Sequence, residues 1–151
     1  MLMAYKNAKN KFGKIRIGAT ESFTKTIGEA DLTLFCGISG DFNPLHVDDL
    51  YASKTLFRGR VAHGMLVASF ISNVLGTKLP GPGTIFLSQN IKFLTPVYIG
   101  DTITAIVEIV SKDPQKRHIV LRTFCINQKG VNVIDGEAQV LFDPDNIFVK
   151  K

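Results

Sequence analysis

Asp41, Asn43 and His46 lie on one short stretch broken by Pro44, and His63 and Gly64 follow shortly after it. On a straight helix, Asp41 and His46 would point about 140° apart. Pro44 works against that helix by pushing Asn43 toward extended backbone. The segment is therefore expected to bend, and a bend can bring both side chains to one point. A carboxylate beside an imidazole can hold and activate a water. The same letters also spell ordinary turn chemistry, because Asp-x-Asn-Pro is a good turn sequence. Spacing alone leaves Asp41 and His46 open between catalysis and a loop.

Gly64 opens an apolar stretch, Gly-Met-Leu-Val-Ala-Ser-Phe-Ile-Ser-Asn-Val-Leu, at residues 64–75. First-turn N–H groups of a helix lack internal partners, and the helix dipole favours negative charge beside them. A glycine there lets a carbonyl oxygen approach closely, which is oxyanion-hole chemistry. A helix-entry glycine needed only for packing is the competing reading. His63 is expected to brace the helix entry. Ser72 lies about 12 Å along the axis from Gly64, so the two cannot hold one carbonyl. Ser72 would instead steady Asp41 or line a pocket. Ser69 is expected to bond back to its own helix.

The elements that must position these residues follow from pattern. Residues 29–38 fit a helix with Leu32, Phe35 and Cys36 on one side. A loop-rich stretch and a short helix after Asp48 come next. Residues 64–75 are apolar nearly all round, which points to a buried helix, with Gly76 as its end signal and a Pro-Gly-Pro-Gly stop behind it. Residues 84–93, 102–111, 117–126 and 133–142 read as strands. The last three are expected to form an antiparallel meander. Helices early and strands late give an α+β fold with a buried helix against one sheet.

Composition narrows the function class. The 151 residues are 45% apolar and 21% charged, enough for one domain with its own core. The net charge is +5. Residues 1–25 carry Lys6, Lys9, Lys11, Lys14, Arg16 and Lys25 against Glu21, which accounts for the whole excess, so the body has no nucleic-acid signature. No apolar run approaches the ~20 residues of a membrane helix. Cys36 and Cys125 suit small buried hydrophobes rather than a disulfide framework. The N-terminus has no secretory h-region, so the cytoplasm is the expected location. The histidines and cysteines lack zinc-ligand spacing, and no metal is expected. The expected layout is a basic segment at 1–20, one domain at 21–143 and a tail at 144–151.

Ser-Gly-Asp-Phe-Asn-Pro-Leu-His at residues 39–46, followed by the His63-Gly64-Met65 helix entry, resembles the MaoC-like, (R)-specific enoyl-CoA hydratases. The likeness extends over residues 20–143. It implies a hot-dog fold, with an antiparallel sheet wrapped around a central helix, and a homodimer. It implies reversible syn addition of water to a trans-2-enoyl thioester, giving the (R)-3-hydroxyacyl product, with no metal or redox cofactor. Coenzyme A would enter as part of the substrate. The family's catalytic residues fall on Asp41 and His46, the oxyanion donor on the Gly64 N–H, and supporting positions on Asn43 and Ser72. Leu66, Val67, Phe70 and Leu87 are candidates to line an acyl tunnel, and Arg58 and Arg60 to meet CoA phosphates. The alternatives are a 3-hydroxyacyl carrier-protein dehydratase, which makes acyl carrier protein a candidate partner, a thioesterase, and a non-catalytic acyl-thioester-binding dimer module.

Overall fold

The protein was analysed as a computed structural model that describes residues 11–144. A helical turn, α1 (Lys11–Lys14), leads into β1 (Thr20–Thr26) and the helix α2 (Glu29–Ser39). The turns α3 (Pro44–Val47) and α4 (Asp49–Ser53) precede the long helix α5 (Gly64–Thr77). Four strands complete the chain: β2 (Thr84–Phe93), β3 (Thr102–Asp113), β4 (His118–Ile126) and β5 (Asn132–Phe142).

The strands form one antiparallel sheet in the order β1-β3-β4-β5-β2. Alternation decides its inner face. Ile103, Ala105, Val107 and Ile109 of β3 point inward, as do Ile119, Leu121, Thr123 and Cys125 of β4. Helix α5 lies on that face and touches β1, β2, β3 and β4. It buries Leu66, Val67, Phe70, Ile71, Val74 and Leu75, a stripe at helical spacing. The sheet thus wraps one central helix, the hot-dog arrangement expected from the resemblance.

Three expectations change. Helix α5 is not buried all round: Met65, Ser69, Ser72 and Gly76 form an exposed stripe opposite the core. Gly76 does not end it, since the helix continues to Thr77. The segment after Asp41 is not all loop, because Pro44 starts α3, with its fixed φ suited to the first turn.

Part of the 1–20 segment packs on the domain. Phe12 is 3% exposed within the core, and Lys112 donates to the Ile15 carbonyl at 2.7 Å. Residues 1–10 and 145–151 of the proposed terminal segments lie outside the described residues.

Candidate active site

The bend around Pro44 is built from side chains that bond to nearby backbone. Asp41 Oδ1 accepts the Asn43 N–H at 3.2 Å, and Asn43 Oδ1 accepts the Leu45 N–H at 3.1 Å, capping α3. Ser39 Oγ accepts the Asp41 N–H at 3.1 Å. Asp41 is therefore a turn residue and a site residue at once. Asn43 shapes the bend and does not line the cavity.

His46 is fixed from the other side. Its Nδ1 lies 2.7 Å from the Val61 carbonyl oxygen. A carbonyl only accepts, so Nδ1 carries the proton and Nε2 is the nitrogen left to accept one. His63, 2% exposed, places Nε2 3.0 Å from the Asp41 carbonyl oxygen, and by the same logic it donates there. The His46 and His63 rings stack at 3.7 Å between centroids, tilted by 29°. A carboxylate oxygen of Asp41 and one ring nitrogen from each histidine lie within 4.8 Å of one another.

That cluster has three groups able to bind a metal. One nitrogen of each ring is engaged by a carbonyl. His46 Nε2 and His63 Nδ1 are the nitrogens left without a carbonyl partner.

A cavity of about 460 Å³ opens at this cluster. Asp41, His46, His63 and Gly64 line it, and Gly64 is the first residue of α5, so its N–H is one of the helix's unpaired donors. The rest is largely apolar: Phe57, Met65, Val67, Phe93, Leu94, Val97, Val133 and Ile134. The volume and lining suit an organic chain.

Several expected site residues lie elsewhere. Of the proposed tunnel residues only Val67 lines the cavity. Leu66 and Phe70 belong to the core, Phe70 edge-on to Phe23, because helical spacing turns them toward the sheet. Leu87 is exposed on β2, at a bulge in its pairing with β5. Within one chain Ser72 sits on the outer stripe of α5 and lines no part of the cavity.

The two arginines also differ. The guanidinium of Arg60 pairs with both Glu29 oxygens and with Asp49, each contact at 2.7 Å, which leaves it committed to tying α2 to α4 rather than free for phosphate. These contacts hold the Glu29 carboxyl below its ordinary range, the Arg60 hydrogen bond being the main cause, and raise Arg60 further. Arg58 is exposed beside Phe57 at the cavity wall, so it stays available as a surface cation. Sequence reasoning missed Phe93 and the Val61 carbonyl. Phe93 comes from a strand distant in the chain, and a backbone acceptor has no letter of its own.

Comparison with known proteins agrees with this geometry. The MaoC like domain family matches residues 13–127. The (R)-specific enoyl-CoA hydratase of Rhodospirillum rubrum is 51% identical over 130 residues, 86% of this chain and 90% of its own. A mitochondrial 3-hydroxyacyl-[acyl-carrier-protein] dehydratase of Arabidopsis thaliana is 34% identical over 130 residues, 84% of this chain and 77% of its own. The unliganded structure of R-hydratase PhaJ1 from Pseudomonas aeruginosa superposes with a TM-score of 0.82 at 42% identity, covering 87% of this chain and 84% of that one.

Proposed function

The chain belongs to the MaoC-like family, and from that membership we propose that it is an (R)-specific enoyl-CoA hydratase, a hydro-lyase that adds water reversibly across a trans-2-enoyl thioester. The observation that carries the reading is the meeting of Asp41, His46 and the α5 N-terminus at Gly64 on one largely apolar cavity.

The chemistry follows from the tautomer. A water between Asp41 and His46 gives one O–H to each. As its oxygen bonds to C3, His46 Nε2 takes the proton, since Nδ1 is already protonated against Val61. The Asp41–His46 pair, with donor atoms within 4.8 Å, passes a proton through Asp41 to C2. Both additions occur from the same face, giving the (R)-3-hydroxyacyl thioester. The Gly64 N–H polarises the thioester carbonyl and stabilises the enolate-like charge that builds on its oxygen. No step uses a metal or redox group.

The stronger likeness is to the CoA enzyme, so coenzyme A is the carrier proposed, with exposed Arg58 as the candidate to meet its phosphates. The dehydratase acting on acyl carrier protein runs the same chemistry in reverse. A homodimer accompanies the reading. Strand β2 is a sheet edge that exposes Ile85, Phe86 and Leu87 in succession, the kind of edge another strand pairs with. Met65, on the outer stripe of α5, lines the cavity together with β2 residue Phe93. No described helix is long and apolar enough to cross a membrane, and the buried thiols Cys36 and Cys125 suit the reducing cytoplasm proposed as its location.

The test is hydration of crotonyl-CoA, followed by loss of enoyl absorbance, with the chirality of the product determined and crotonyl carrier protein run beside it. The expected result is (R)-3-hydroxybutyryl-CoA with a higher kcat/KM on the CoA thioester. An absence of hydration on both carriers overturns the reading.

A further inference from the structure

His63 is held in an apolar slot that does not satisfy it. It is 2% exposed, with the Phe35 ring 4.9 Å away and Cys36 Sγ 3.6 Å from Nε2. Its Nδ1 is buried with no hydrogen-bond partner. A buried polar atom without a partner lowers stability. Although His63 is the N-cap residue of α5, its side chain makes no capping bond. Packing and capping therefore do not account for an imidazole here, since a phenyl ring could occupy the slot without an orphan nitrogen.

Two of the contacts His63 makes go to the reacting residues. Its Nε2–H holds the Asp41 carbonyl, and its face lies under the His46 ring. We infer that His63 is a positioning residue that sets the Asp41–His46 geometry through two separate contacts, a hydrogen bond to the Asp41 main chain and a ring stack beneath His46. The inference rests on the hydratase reading and deepens it. The hydrogen bond keeps the Asp41 turn against α5. The stack blocks one face of His46, so its ring stays in the plane that aims Nδ1 at Val61 and leaves Nε2 for the water. When His46 takes a proton, the neutral ring below it presents a π face to the cation.

Two variants separate the contacts. His63→Phe keeps a ring under His46 and loses the bond to Asp41. His63→Gln keeps an N–H donor of similar reach and loses the ring. Each is expected to lower kcat on crotonyl-CoA by roughly ten- to a hundredfold, the scale of a small misplacement of reacting groups, with KM within about twofold of the parent. The melting temperature of His63→Phe is expected to be no lower than the parent's, because the orphan nitrogen is gone. Unchanged kcat in both variants, or a loss of kcat that only follows a fall in melting temperature, overturns the inference. A parent that hydrates neither thioester is a failure of the hydratase reading instead. In that case the tautomer of His46, read by long-range ¹H–¹⁵N NMR, decides the point: a mixture of tautomers in His63→Gln supports positioning, and a single Nδ1–H tautomer in parent and variant rejects it.

Discussion

The ring of Phe93 lies so close to Gly64 that a Cβ placed on Gly64 would come within 2.7 Å of Phe93 Cε1. The last residue of β2 thus rests on the first residue of α5, at the proposed oxyanion donor. Gly64→Ala is expected to push the phenyl ring into the cavity, because Phe93 is 54% exposed and can move outward from the core. The carbonyl would then be held off the N–H. Steady-state kinetics should show kcat/KM reduced by about a hundredfold, the cost of losing one oxyanion donor, while melting changes little.

Asp41→Asn tests the carboxylate without unbuilding the turn. The amide oxygen can still accept the Asn43 N–H, so the bend should persist. His46→Gln can still reach the Val61 carbonyl while losing the basic nitrogen. Either change is expected to reduce kcat by about 10²- to 10⁴-fold, the range of general acid–base catalysis. Activity near that of the parent in either variant would remove it from the proton path.

Much of this site was legible in the sequence, and the reasons are local. The bend at Pro44 and the helix opening at Gly64 depend on turn residues and periodicity acting over a few positions, whereas the pairing of Asp41 with His46 was assigned by the family resemblance. The strands of the second half were visible because β3 and β4 alternate cleanly. Leu66 and Phe70 were misplaced because an apolar helix does not say which of its sides meets the sheet. Arg60 was misread because Glu29, its partner, lies 31 residues away. His63 was recognised as a brace, but its stack with His46 depends on a ring orientation that letters do not carry.

Gly136 of β5 is paired with Ile91 of β2. A Cβ there would sit 2.1 Å from the Asn90 carbonyl oxygen, with the Ile91 backbone also in the way. Neither neighbour is a flexible side chain, so Gly136→Ala must separate the strands. Chemical denaturation should show a loss of about 3 kcal/mol, at the upper end of overpacking costs.

Acid stability should depend on Asp31. The hydrogen bond from Lys25, then that from the Gly28 N–H, holds its carboxyl below the ordinary value of 3.8. A depressed carboxylate contributes stability above its unfolded pKa, and that contribution is lost as pH falls through the folded pKa. Asp31→Asn is therefore expected to lower the melting temperature at pH 7. The gap to the parent should shrink as the pH is taken below about 3.8. A gap that widens in acid contradicts this assignment.

Phe86→Asp places a charge on the open edge of β2, next to exposed Ile85 and Leu87. Light scattering should show a dimer for the parent and a monomer for the variant, with circular dichroism unchanged. A variant that stays dimeric would move the interface elsewhere.

Strand β2 carries two duties on one backbone: its first half offers the edge proposed to pair with a second copy, and its end supplies Phe93 to the cavity wall. Assembly and turnover then share a single mechanical link. With the proposed dimer, specific activity is expected to fall on dilution as partners separate and to recover on reconcentration. Compounds that wedge into the edge of β2 would inhibit without ever entering the cavity.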